Sequence, residues 1–320
     1  MAMIETQNLT KTFSSRKGPV EAVRGVDLRV NQSEIYGFLG PNGAGKTTTM
    51  RMLSTLLDPT SGQATVCGYD LRREPGKVRT QIGYVGQKGG AEARETGREN
   101  LVLQGRLYGM SKADALKRAA ELISRLDLES FADRLVKTYS GGQRRRLDIA
   151  MGMMHRPRLL TLDEPTTGLD PQSRARIWDE VRRLRDEGVT IFLTTHYMDE
   201  ADGLCDRLAV IDNGKIVGED TPNGLKRQIA GDIISLGLNL NGSAARVKET
   251  LHAQDFLREL QETEAGLQLY VERGDEVLPE VLRLLDHNGA TIRSVTLARP
   301  TLEDVFLRLT GRSLREEQTA

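Results

Sequence analysis

The chain has 320 residues, 38% hydrophobic and 28% charged, enough for a sizeable core and more than one domain. Its 45 basic and 45 acidic side chains cancel, which removes any global electrostatic reason to bind nucleic acid or an anionic membrane. Two cysteines, Cys67 and Cys205, are too few for a disulfide framework or a zinc site, Met1–Thr12 lacks the apolar core of a signal peptide, and no apolar run approaches the ~20 residues of a membrane-spanning helix.

From Ile4 to Val30 the pattern is antiparallel, with turn signals at Lys17-Gly18-Pro19 and a strand over Ala22–Val30. A short apolar strand, Ile35–Leu39, then leads into Gly40-Pro41-Asn42-Gly43-Ala44-Gly45-Lys46-Thr47, and a helix runs on through Thr48 to Leu53. This is the spacing G-x-x-x-x-G-K-[ST] in its strand-loop-helix context, a phosphate loop. Its glycines let successive N–H groups point inward at a phosphate chain, and the helix N-terminus adds partial positive charge. Lys46 is placed to reach the β- and γ-phosphates, and the Thr47 hydroxyl to bind Mg²⁺.

Gln81–Val85 reads as the next strand. Leu101, Leu103, Leu107, Leu116, Leu122, Ile123 and Leu126 recur near the helical period and predict a strongly helical block over 100–130, inside a helical insertion of about 88–155. Tyr139-Ser140-Gly141-Gly142-Gln143 precedes a helix over Arg144–Met154. A hydroxyl and free N–H groups at a helix N-terminus make an anion site. Arg144-Arg145-Arg146 reads as a charged face of that helix rather than a nucleic-acid patch, given the neutral chain. The strand Leu159–Leu162 ends in Asp163-Glu164: one carboxylate to hold Mg²⁺, the other to take a proton from, or orient, an attacking water. Further strands at Val189–Thr194 and Arg207–Ile211 predict a mainly parallel sheet with helices on its faces.

Thr221-Pro222-Asn223-Gly224 carries both breaker residues and marks a boundary. The expected organisation is a domain over 1–225, a second over 226–311 and a flexible tail over 312–320. In the second, strands at Ile233–Leu240, Gly266–Glu272 and Ala290–Leu297 alternate with helices at Ser243–Glu262, Asp275–Asp286 and Leu302–Leu309, a small α+β domain. Thr301-Leu302-Glu303-Asp304 reads as a capping box for its last helix. No chemistry is visible in it.

These residues together resemble the ATP-binding subunit of an ABC (ATP-binding cassette) transporter. Gly40–Thr47 is similar to the family's Walker A loop, Asp163 and Glu164 to its Walker B carboxylate and catalytic glutamate, and Tyr139–Gln143 to its LSGGQ signature, with Tyr in place of Leu. Gly168-Leu169-Asp170 resembles the D-loop, with Gly where the family often has Ala. His196 in Thr194-Thr195-His196 matches the switch histidine, and Gln87 in Tyr84-Val85-Gly86-Gln87 the Q-loop. Phe13 falls where the family has an aromatic stacking on adenine; read alone, it is equally a core aromatic.

The resemblance implies an α/β fold: a P-loop NTPase ABC cassette with a mainly parallel sheet, an antiparallel β subdomain and a helical subdomain, plus the small C-terminal α+β domain. It implies ATP and Mg as cofactors. Thr47, Gln87 and Asp163 would serve the metal, and Glu164, His196 and Gln87 the hydrolysis. Nucleotide contacts would come from Phe13, Gly40, Pro41, Asn42, Gly43, Ala44, Gly45, Lys46, Thr47, Thr48, Ser140, Gly141, Gly142, Gln143 and Asp170. A homodimer would sandwich ATP between one copy's phosphate loop and the other's Ser140–Gln143. Integral membrane permease subunits would dock on Lys88–Gly97, placing the chain peripherally on the cytoplasmic face of the cell membrane, with no nucleic acid partner. Finally, Pro300–Phe306 with Leu309-Thr310-Gly311, and Tyr139–Ala150, resemble the daunorubicin-resistance (DrrA-like) subgroup. That implies an ATPase powering drug or antibiotic efflux; the alternatives are export of lipid or polysaccharide, or a soluble non-transport ABC ATPase.

Overall fold

Alternation of apolar and polar side chains, rather than a continuous apolar run, makes the first two strands a half-covered antiparallel pair. In the computed structural model, which describes residues 2–16, 18–239, 244–263, 266–298 and 300–310, β1 (Ala2–Ser15) pairs with β2 (Gly18–Asn31) along its length. The second strand starts at Gly18, four residues before the apolar pattern does. Tertiary pairing rather than side-chain pattern extends it.

The chain divides into two units, Met1–Glu219 and Asp220–Ala320. In the first, β3 (Ile35–Leu39) is buried at every position, as a strand covered on both faces requires. The phosphate-loop segment follows, then α1 (Lys46–Leu53), β4 (Ser61–Val66), β5 (Tyr69–Asp70), α2 (Pro75–Gln81) and β6 (Ile82–Val85). Pro75 opens α2 at its first turn, so Gln81 is helical and the strand expected from it begins one residue later. The helical block over 100–130 is two helices, α3 (Gly97–Leu107) and α4 (Lys112–Arg125). Gly109 at φ 83° ends the first, and the Ser111 side chain accepts from the Asp114 N–H to start the second. Then come α5 (Gly141–Gly152), β7 (Leu159–Asp163), α6 (Pro171–Asp186), β8 (Thr190–Thr195), α7 (Met198–Leu204), β9 (Arg207–Asp212) and β10 (Lys215–Asp220).

The central sheet has the order β10-β9-β3-β8-β7-β6, and β9, β3, β8, β7 and β6 run parallel. A second sheet, β2-β1-β4-β5, is antiparallel. Tyr36, Phe38 and Phe192 are fully buried, with ring centroids 5.8 to 6.1 Å apart. Cys67 and Cys205 are free and buried; burial pushes the Cys67 thiol up to about 11. Among the described residues, no helix is long and apolar enough to cross a membrane.

The second unit holds α8 (Pro222–Ala230), β11 (Asp232–Asn239), α9 (Ala244–His252), β12 (Leu257–Thr263), β13 (Gly266–Val271), α10 (Gly274–His287), β14 (Thr291–Ala298) and α11 (Leu302–Thr310). Thr221 caps α8 and Pro222 is its first residue. The sheet order is β12-β13-β11-β14, all antiparallel. Its core gathers Ile234, Leu236, Leu269, Val281 and Leu285. The helix expected over Ser243–Glu262 stops at His252, and its second half is β12. An irregularity between Leu257 and Glu259 lets Leu257 and Leu260 pack on the same core. A bulge thus turns an apparent helical spacing into one face of a strand. The Thr301 capping box forms: Thr301 N–H donates to Asp304 Oδ2 at 2.8 Å and Asp304 N–H to Thr301 Oγ1 at 3.3 Å. The expected tail 312–320, and Leu240, Ser243 and Gly311, lie outside the described residues.

Candidate nucleotide site

Strand β3 delivers Gly40–Gly45 to the end of the parallel sheet, where the Gly40 N–H donates to Thr195 O of β8 at 3.2 Å. Gly43 and Gly45 take φ of 81° and 102°, the left-handed region open to glycine, and a Cβ on Gly45 would meet Ala22 O at 2.4 Å. The loop therefore curls tightly into the N-terminus of α1. Lys46 is buried; its Nζ donates to Gly40 O at 2.7 Å and Pro41 O at 2.9 Å, and lies 3.6 Å from Glu164 Oε1. The Thr47 hydroxyl donates to Asp163 Oδ1 at 3.0 Å, an oxygen that also accepts from Thr194 Oγ1 at 2.6 Å.

Glu164, directly after β7, sits at φ 45°, an unfavourable backbone conformation for a residue with a Cβ. Its N–H is held by Thr194 O and Thr194 Oγ1, both at 3.1 Å. This turn aims its carboxylate into the cleft. Its Oε2 accepts from Gln87 Nε2 at 3.0 Å and from the Thr167 hydroxyl at 3.2 Å. His196 Nδ1 lies 3.2 Å from Oε1. Burial pushes the Glu164 carboxyl up, but the adjacent His196, the Lys46 charge and the Thr167 hydroxyl outweigh it, and the group titrates below the usual carboxylate range.

The cleft, about 370 Å³, is lined by Asn42, Gly43, Gly45, Lys46, Thr47, Thr48, Gln87 and Glu164. It fits a Mg²⁺-nucleotide on two observations. The space beside Gly43 is open to 4 Å, so a phosphate can approach the backbone there. Thr47 and Asp163 present hard oxygen donors to one point, as a cation shared with phosphate oxygens needs. Among the described residues no cluster of His, Cys, Asp and Glu forms an all-protein metal cage.

Ser140, Gly141, Gly142, Gln143, Asp170 and Phe13 do not line this cleft. Ser140 caps α5 reciprocally with Gln143: the Gln143 N–H donates to Ser140 Oγ at 3.2 Å and the Ser140 N–H to Gln143 Oε1 at 3.0 Å. Ser140 and Gly141 are exposed. A Cβ on Gly142 would sit 2.7 Å from Ser173 Oγ, so glycine permits close packing against α6. Asp170 caps α6, accepting from Ser173 N–H at 2.9 Å and Ser173 Oγ at 2.6 Å. Phe13 is 38% exposed, with Lys11 Nζ 5.2 Å above its ring; it is a surface aromatic and not part of a core.

Several residues went unseen in sequence. Thr194 fixes both Asp163 and Glu164; its signal is a hydroxyl at the end of a strand buried throughout. Glu200, fully buried, accepts from Thr166 Oγ1 at 2.8 Å and Trp178 Nε1 at 3.1 Å, tying the turn after Glu164 to α7. The arginine run is not a solvated face: Arg145 is buried and donates to main-chain carbonyls.

A glycine-rich loop holding a buried lysine, beside a parallel strand that ends in two carboxylates, defines a P-loop ATPase, and the comparisons specify which. Residues 23–167 match the family model for ABC transporter, and the chain belongs to the ATP-binding proteins of that family, whose cassettes are ATPases. Residues 221–310 match the C-terminal domain described as ATP-binding protein DrrA1-3-like. The chain is similar over nearly its whole length to the daunorubicin/doxorubicin resistance ATP-binding protein DrrA of Streptomyces peucetius, at 45% identity over 99% of this chain and 94% of that protein. It is equally similar to DrrA2 of Streptomyces coeruleorubidus, a daunorubicin resistance ATP-binding protein, at 45% identity over 94% of each. Among solved structures, a dimeric post-hydrolysis state of the ATP-binding cassette MJ0796 with ADP and Pi matches 68% of this chain and 98% of its own, at 28% identity and a TM-score of 0.63.

Proposed function

We propose that this ATPase hydrolyses Mg²⁺-ATP in a homodimer and powers efflux of a drug or antibiotic through separate integral membrane subunits, from the cytoplasmic face of the membrane. The observation that carries the reading is the convergence of Lys46, Gln87 and His196 on the Glu164 carboxylate, within 3.0 to 3.6 Å. Bound Mg²⁺-ATP supplies the γ-phosphoryl group and a metal that neutralises its charge. Lys46 is the cation for the terminal phosphates, and Thr47 and Asp163 are the oxygen donors for the metal. Glu164 orients the attacking water and accepts its proton, and its lowered pKa keeps it ionised for that task. Gln87 and His196, now on Glu164, are placed to turn towards the water and the γ-phosphate. Phe13 offers an exposed ring as a platform for the base.

The exposed Ser140 and Gly141 at the α5 N-terminus suit a phosphate belonging to a partner copy, and the dimeric state of MJ0796 supports this arrangement. The drug-resistance names of the relatives support the cargo class. Docking of membrane subunits falls to the loop Lys88–Gly97. Light scattering on the Glu164→Gln protein tests the shared site. Adding Mg²⁺-ATP is expected to give dimers, and the further change Ser140→Arg to return monomers that still bind ATP. Dimers that persist with both changes would overturn the proposal.

A further inference from the structure

The arginine run after the signature turns inward. Arg145 is 7% exposed, and no carboxylate lies within ion-pair distance of it among the described residues. Its two Nη groups donate to main-chain carbonyls from different segments, Nη1 to Gly86 O at 2.7 Å and Nη2 to Asp163 O at 2.9 Å, while the buried Nε has no hydrogen-bond partner among the described residues. Burial lowers its pKa, and nearby Asp148 and Asp163 offset this only in part. A buried cation given over to carbonyls is costly unless the contacts it makes matter.

One helical turn further along α5, Asp148 is 6% exposed. Its Oδ1 accepts from the Gly90 N–H at 3.0 Å and the Ala91 N–H at 3.3 Å. Arg144 Nη2 donates to Ala91 O at 3.1 Å. Gly89 passes so close, at φ 69°, that a Cβ there would lie 2.3 Å from Asp148 Oδ2. Residues 86–91 are thus held at both ends by side chains of α5, and Gln87 lies between the two grips.

We propose that Arg145 and Asp148 are positioning residues for hydrolysis: they clamp the segment Gly86–Ala91 onto α5 and so set Gln87 against Glu164. The inference rests on the reading of Gln87 and Glu164 given above. The planar fork matters, because its two Nη groups reach carbonyls of two separate segments from one rigid plane, whereas a lysine donates from a single nitrogen on a flexible stem. Since Ser140–Gln143 begin the same helix, the clamp also joins the residue that attends one nucleotide to the segment that faces the other.

Two measurements on the full chain test this. In the nucleotide-free protein, Asp148→Leu is expected to speed amide hydrogen exchange at Gly90 and Ala91 about tenfold. Asp148→Asn keeps an acceptor oxygen and is expected to leave exchange near wild type. Unchanged exchange in Asp148→Leu would overturn the clamp. In steady-state hydrolysis, Arg145→Lys is expected to lower kcat about 10- to 100-fold with KM nearly unchanged, and to cost under about twofold in a Gln87→Ala background, because the two changes share one effect. Equal losses in both backgrounds would overturn the positioning role. Full activity of Gln87→Ala alone would instead remove Gln87 from the reaction, leaving the exchange result to decide the clamp.

Discussion

The two segments proposed to bind phosphate, the phosphate loop and the signature turn, differ in how many partners one copy of the chain gives them. Around the phosphate loop, Lys46 has two carbonyls and a carboxylate, Asp163 has two hydroxyls, and Glu164 has Gln87, Thr167 and His196 about it. At the signature turn, the Ser140 and Gln143 side chains cap each other's N–H groups, and Ser140 O accepts from the Arg144 N–H at 2.9 Å. The first is a densely cross-braced site in which Lys46, Asp163 and Glu164 each have polar partners within the same chain. The second is a helix start at which Ser140 and Gly141 are exposed while Gly142 packs against α6. On the proposed reading, chemistry is prepared at the first and an incoming group is awaited at the second. Substitutions in the first should fall on turnover and affinity; those in the second should fall on assembly.

The largest effect is expected at Glu164. Replacement by Gln keeps the Gln87 and Thr167 contacts but removes the proton acceptor. Turnover should fall about 10²- to 10⁴-fold, while ATP affinity measured by calorimetry stays within a few-fold. Near-full hydrolysis would take Glu164 out of the base role. Lys46→Ala comes next. It removes a charge-assisted contact, so nucleotide binding should weaken about 10- to 100-fold. It also strips Glu164 of its buried cation, and the carboxyl should then titrate higher than in the wild type. Unchanged affinity would argue against the phosphate-loop role.

The two regions were also unequally legible in sequence. The phosphate loop is local: eight consecutive residues carry strand exit, turn and helix start, and they fold as their spacing dictates. The convergence of Gln87, Glu164 and His196 is not local. Each sits near the end of a parallel strand, β6, β7 or β8, and these strands are neighbours in the sheet. Only the strand order brings the three together. Arg145 and Asp148 were illegible for a further reason. A run of arginines on a helix looks solvated until the packing partner of that face is known, and here the partner is the loop after β6. The failure at β12 has the same root, since a bulge rearranges which side chains share a face and leaves little trace in periodicity.

The smallest prediction sets a second buried carboxyl against Glu164. Glu180 of α6 is only 5% exposed, and its nearest cation, Arg146 Nε, is 3.8 Å away. Burial outweighs Arg146 and Arg183 there and pushes its carboxyl up to about 6 from 4.5. Glu164 goes the other way because Lys46 and His196 crowd it. The sign of the linkage follows. The folded chain binds the Glu180 proton more tightly than the unfolded chain, so this stabilisation is complete below about pH 4.5 and is lost as pH rises through about 6. The loss amounts to about 2 kcal/mol. Glu180→Gln keeps the shape without the titration. Denaturant unfolding at pH 4.5 and pH 7 should therefore show the wild type losing about 2 kcal/mol relative to the variant between the two. A difference that does not change with pH would mean that Arg146 compensates the burial in full, and the contrast between the two carboxyls would disappear.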